Sequence, residues 1–180
     1  MICCGGKWCI GVFCGEKPRR SPCHPSFLDW IQPVATQFLG EYEVPVDDKG
    51  RVFLPAELRR NLEPEADDTL VVVRGLDGCL TAHPQNAWAQ IAERMLQLSQ
   101  TEQKVRLYIR GTLSQATSVK LDRQGRATIS RKLLQRAGIT DRMVVIGSLD
   151  RLEFWNPEAW QACLAQAEDA LEEVAETLDL

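Results

Sequence analysis

No apolar run in this 180-residue chain approaches the roughly 20 residues that a membrane helix needs, so no membrane partner is expected. Histidine is almost absent. His24 sits in an irregular leader, and His83 follows an expected strand with no acid or nucleophile pattern beside it. Neither a Ser-His-Asp set, a Walker-type loop nor a His-Glu-x-x-His helix can be assembled, which removes the common hydrolytic and phosphate-transferring chemistries. The chain therefore reads as a non-enzyme, with no catalytic residue, cofactor, metal or small-molecule substrate assigned. An excess of positive charge is lacking too, the net being −4. That charge is uneven: Glu168, Asp169, Glu172, Glu173, Glu176 and Asp179 crowd the stretch from Leu164 to Leu180, which has no base. Removing these six from −4 leaves the remainder at +2. Any basic surface must be local.

Paired cysteines are lacking as well. Cys3, Cys4, Cys9, Cys14 and Cys23 crowd the leader at irregular gaps, without the Cys-x-x-Cys knuckles of a zinc site. A disulfide framework would need an oxidising compartment that nothing else suggests. The run WCIGVFC loosely mimics a signal-peptide core, but Glu-Lys-Pro-Arg-Arg follows it in place of a small-residue cleavage site, so the cytoplasm is expected. Residues 1–36 read as a leader that is either not native or disordered, a metal- or redox-binding module being the alternative. VATQFLGEYE would make a natural beginning if Val34 were a GTG start codon, with residues 1–33 upstream of it.

What the chain does have is an internal repeat. VDDKGRVFLPAEL (Val46 to Leu58) returns as LDRQGRATISRKL (Leu121 to Leu133), aligning Gly50-Arg51 with Gly125-Arg126. Trp88 aligns with Trp160 after a slightly shorter loop in the second copy. In the first copy Tyr42, Val44 and Val46 alternate as in a half-buried strand, Asp47 to Gly50 supply turn chemistry, and Val52 to Leu54 return. Pro55 suits the first position of a short helix, and LVVVRG and CLTAH follow as strands. The second copy repeats this order, with Ser130 as helix cap, Gly138 as helix end, and MVVIG and LEFW as its last strands. The expected fold class is α+β: two tandem pseudo-symmetric β-turn-β-α-β-β units with flanking amphipathic helices. The units span residues 38–88 and 117–160, joined by a helical linker at 89–116 and followed by an acidic helix or tail at 161–180. Units of about 45 residues are small for a core of their own, so the two should bury apolar faces against each other. Trp88, Ile91, Met95 and Leu98 mark one amphipathic helix over Pro84 to Gln100, and a second begins at Pro157 with Trp160 and Leu164. Both tryptophan helices suit core packing and assembly better than ligand binding.

The two Gly-Arg turns ask for a purpose. A hairpin edge with long cations can simply be solvated. Here, however, pseudo-symmetry puts Arg51 and Arg126 on one surface, with Lys49 beside the first and Arg123 and Lys120 beside the second. Guanidinium groups so placed can bond phosphate or guanine edges bidentately, and Lys adds phosphate contacts. Asp47 and Asp122 could be imagined as paired carboxylates, but each stands where an Asx turn is expected. With Gly50 and Gly125 they are assigned a structural role in the turns, accepting backbone N–H groups or holding the arginine.

Between about Phe38 and Trp160 the chain resembles the MraZ family of bacterial transcriptional regulators, which are built from two SpoVT-AbrB-type units. FLGEYEVPVDDKGRVFLPAELR is similar to the amino-terminal signature of that family, and VKLDRQGRATIS with RLEFWNPEAW to its second half. The family often has Pro where this chain has Ser130. The resemblance implies a swapped-hairpin β barrel, a ring-shaped homo-oligomer, and double-stranded DNA as partner. The DNA would be direct repeats upstream of the protein's own division and cell-wall operon, in the nucleoid. By motif position the DNA-contacting residues would be Arg51, Arg126, Lys49 and Arg123. The alternative is an AbrB-type interaction module, antitoxin-like, that reads no operator.

Overall fold

The run Leu70-Val71-Val72-Val73 is continuously apolar because its strand is covered on both faces, and all four side chains are buried. The computed structural model describes residues 37–177, with side chains as far as residue 167. The leader, its cysteines and the acidic side chains from Glu168 to Asp179 therefore lie outside the described residues. Along the chain the elements are β1 (Glu41–Pro45), β2 (Arg51–Phe53), α1 (Ala56–Arg60), a 3-10 turn (Pro64–Ala66), β3 (Thr69–Arg74), β4 (Leu80–Pro84), α2 (Gln85–Gln97), α3 (Gln103–Leu113), β5 (Thr117–Lys120), β6 (Arg126–Thr128), α4 (Arg131–Arg136), β7 (Arg142–Ser148), β8 (Arg151–Trp155) and α5 (Pro157–Thr177). No helix among the described residues is long and apolar enough to cross a membrane.

The two repeats are interleaved. A six-stranded antiparallel sheet runs β1-β7-β8-β4-β3-β5, so the first strand of each repeat lies against the third strand of the other. β4 and β8 meet at the middle, with Leu80 opposite Phe154 and Ala82 opposite Leu152. The return strands do not complete hairpins of their own. Just past β1 a single bridge joins Val46 to Val52, and β2 then pairs with β6 as a separate two-stranded ribbon. The reason is apolar supply: Val52 and Ala127 meet at the ribbon centre and close one core with Val44, Leu54, Leu58, Val119, Ile129 and Leu133. Burying each of the larger side chains is worth about 1.5–3 kcal/mol, and neither repeat could bury them alone.

The structure is thus α+β with three layers. The β2–β6 ribbon, α1 and α4 cover one face of the large sheet, and α2, α3 and α5 lie on the other. Several local expectations change. Pro55 caps α1 instead of occupying its first turn, with extended ψ of 143°. His83 lies inside β4 and is buried. The helical linker at 89–116 is broken in two, the end of α2 and then α3, and Val105, Ile109 and Thr112 turn the half-buried face of α3 inward. Ser130 does cap α4, accepting from the Leu133 N–H, and Gly138 follows with φ of 66°.

Candidate nucleic-acid interface

Each Asp-x-x-Gly-Arg turn is closed by its aspartate. Asp47 Oδ1 accepts the backbone N–H of Lys49 (2.9 Å) and of Arg51 (2.8 Å), and Oδ2 accepts Arg51 Nε at 2.5 Å. Asp122 repeats the pattern with Gln124 (2.8 Å), Arg126 (2.9 Å) and Arg126 Nε (2.9 Å). Gly50 and Gly125 take the left-handed conformation that the turns require, φ 76° and 79°. The two turns also lock each other: Leu54 N–H donates to the Gly125 carbonyl and Ile129 N–H to the Gly50 carbonyl, both at 2.9 Å. An exposed ion pair contributes little to stability, so the Asp–Arg pair matters mainly for aim. It pins Nε and leaves both terminal nitrogens of each guanidinium without a protein partner among the described residues.

Hydrogen bonds from the Arg51 backbone, then the Arg51 side chain and the Lys49 backbone, hold the Asp47 carboxyl below its ordinary value; the Arg126 backbone and side chain do the same for Asp122. A depressed carboxyl pKa contributes stability that is complete above the unfolded value near 4 and is lost as pH falls through the lower folded value. Thermal midpoints followed from pH 6 to pH 2 should therefore show an acid limb that is shallower in the Asp47→Asn, Asp122→Asn double variant. Identical limbs would show that these carboxylates are not held by the turns.

The β2–β6 register decides what faces outward. Arg51 lies opposite Thr128 and Phe53 opposite Arg126, while Val52 and Ala127 point into the core. Arg51 and Arg126 are thus diagonal neighbours on one outer face, about 7–8 Å apart. Lys49 and Arg123 stand exposed at the turn tips. Lys120 leaves the group: on β5 its Nζ bonds Asp67 at 2.6 Å.

Three further arginines join from the short helices, none of them among the residues expected from the turn motif. Arg59 lies over the Phe53 ring, 5.2 Å from guanidinium carbon to centroid, with its Nε buried and unpartnered among the described residues. With Arg60 and Arg123 it lines a cleft of about 460 Å³ beside the second turn. Arg131 reaches across to the Asp48 carbonyl of the first turn. The signal for Arg59 is a break in the repeat: with the Gly-Arg pairs aligned, it stands where the second copy has Leu134, which packs beside Gly50. Over residues 46–60 and 121–137, which form this layer, nine cations face four acids, a net of +5 in a chain of −4.

The family model described as "MraZ protein, putative antitoxin-like" matches residues 37–110 and 112–180. Each matched segment holds one Asp-x-x-Gly-Arg turn, its ribbon strand, its short helix, three strands of the large sheet and the helix that follows them.

Proposed function

The chain belongs to the MraZ family, and on that premise we propose that it is a sequence-specific DNA-binding transcriptional regulator whose reading surface is the outer face of the β2–β6 ribbon. One observation carries this: β2 pairs with β6, not with its own hairpin partner, so Arg51 and Arg126 share one face within a +5 layer. A two-stranded ribbon fits the B-DNA major groove, where guanidinium can bond the O6 and N7 of guanine. Lys49, Arg123, Arg59 and Arg60 at its margins suit flanking phosphates. A single ribbon offers few base contacts, so useful affinity calls for several copies on spaced repeats, gained through effective concentration. We place the protein as a ring-shaped homo-oligomer on direct repeats upstream of its own division and cell-wall operon, at the nucleoid of a bacterial cytoplasm. Leu96, Leu107 and Tyr108, exposed on α2 and α3, are suited to contacts between copies.

The antitoxin-like alternative gives those same apolar side chains to a partner protein. Footprinting on a fragment from upstream of the gene separates the two. The regulator should protect repeats at regular spacing, with affinity rising steeply from one repeat to three. Protection no better than on unrelated DNA would favour the interaction module.

A further inference from the structure

Four side chains make the outer face of the β2–β6 ribbon, and two of them break its pseudo-symmetry. Arg51 lies opposite Thr128 and Arg126 opposite Phe53, with Val52 and Ala127 turned into the core between the rows. Exchanging the two strands superposes Arg51 on Arg126. It also superposes Phe53 on Thr128, since each stands two residues past its arginine. Opposed side chains in such a pair have β-carbons about 4.5–5.5 Å apart, so each arginine has one close neighbour across the ribbon. For Arg126 that neighbour is an aromatic ring, and for Arg51 it is a small hydroxyl side chain.

A lone apolar residue at a surface needs no special account. Phe53, however, is 45% exposed and also held in place. The Arg59 guanidinium covers the ring, 5.2 Å from its carbon to the centroid, where the cation and the π face attract each other. Gly125 makes room for that guanidinium, because a β-carbon there would collide with Nε, Cζ and Nη1 of Arg59. The second copy lacks the arrangement. Leu134 stands in place of Arg59 and packs beside Gly50, and exposed Thr128 has no ring to hold.

We infer that Phe53 is a specificity-determining residue, which receives the 5-methyl group of a thymine beside the base pair bonded by Arg126. This rests on the outer ribbon face being the DNA-reading surface proposed above. The chemistry of the groove selects the target. Base edges in the major groove present hydrogen-bond donors and acceptors, and the thymine methyl is the one methyl group among them. A phenyl ring makes no hydrogen bond, so it discriminates by covering that methyl. Thr128 beside Arg51 is shorter, and its hydroxyl bonds more than one base, so it makes a weaker choice. Each recognised site is then polar, with a thymine accompanying the contact of one arginine and not of the other. A ribbon with equal halves would bind either way round; Phe53 gives it a direction, as repeats in a single orientation require.

The test uses the full chain and the upstream repeats at fixed salt. Within one repeat each thymine is replaced in turn by deoxyuridine, which deletes the 5-methyl and keeps every hydrogen-bonding group. At one thymine the wild type should lose about fourfold in affinity, the worth of one buried methyl. Phe53→Ala should be indifferent to uracil at that position. Phe53→Thr, which gives both strands the same outer residue, serves where Phe53→Ala fails to fold, as judged by its thermal melt. A methyl effect undiminished in the folded variant would come from DNA shape or another side chain and would overturn the inference. So would repeats that are bound in preference to unrelated DNA while no uracil position matters. Both results leave the ribbon standing as the reading surface. Wild-type binding no better on the repeats than on unrelated DNA would overturn the regulator reading and this inference together.

Discussion

Gly50→Ala should destabilise the protein by more than about 3 kcal/mol, several times the effect of a typical surface change. Two costs combine. The left-handed φ of 76° penalises any β-carbon by about 1–2 kcal/mol. A β-carbon at Gly50 would also lie 2.4 Å from the Ile129 carbonyl oxygen, a backbone atom of the strand whose N–H donates to the Gly50 carbonyl. The two turns would have to separate, and the Val52–Ala127 centre of the core would open with them. Gly125→Ala is the control that makes the prediction sharp. Its φ is nearly the same, 79°, but the atom it meets at 2.4 Å is the Arg59 guanidinium, the far end of a flexible side chain. That substitution should cost only the conformational term, about 1–2 kcal/mol. At roughly 2–4 °C per kcal/mol for a chain of this size, thermal melts should show Gly50→Ala lowered by about 6–12 °C or more and Gly125→Ala by about one- to two-thirds of that. Equal losses would mean that the turns do not interlock as described.

The Arg51→Ala, Arg126→Ala double variant should lose about 30-fold to 10⁴-fold in affinity for the upstream repeats, on the basis of about 1–3 kcal/mol for each bidentate contact. Stability should barely change. The backbone N–H bonds to Asp47 and Asp122 remain, and each ion pair removed is exposed and screened by solvent. The two functions of these turns, folding and reading, are therefore separable. Removing Arg60 or Lys49 should act differently, weakening all DNA alike and reducing the salt slope by about one for each phosphate no longer neutralised. Electrophoretic mobility shifts at two salt concentrations, on the repeats and on unrelated DNA, distinguish the classes. A double variant that binds the repeats as tightly as wild type would make the turns scaffold only.

The local order of elements was legible in the sequence because each repeat punctuates itself: Asp and Gly at the turns, Ser130 at a cap, and a continuous Leu-Val-Val-Val run where a strand is buried on both faces. The partners of those strands were not. Val52 alternates with its neighbours in the same way whether β2 returns onto β1 or crosses to β6, since period-two patterning fixes a face and not a neighbour. Swapping is decided by how much apolar surface two such small repeats can bury jointly, a sum over distant positions such as Val44, Leu58 and Ile129. The site divides similarly. Arg51 and Arg126 stood out because the repeat aligned them. Arg59 did not, because its contacts with Phe53 and beside Gly125 depend on the ribbon crossing between repeats. His83 ends the expected strand CLTAH, and its burial on the helix side of the sheet, at the repeat's equivalent of Trp155, is not legible from its own neighbours.

Photo-crosslinking from the outer face of the ribbon tests the central claim most directly. Benzoylphenylalanine placed at Phe53, 45% exposed beside Arg126, is compared with the same group at Tyr108, 55% exposed on the opposite layer. Irradiation with the upstream repeats should join DNA to the position 53 protein and not to the position 108 protein. Crosslinks from position 108 without any from position 53 would place DNA on the helical layer and contradict the ribbon as the reading surface.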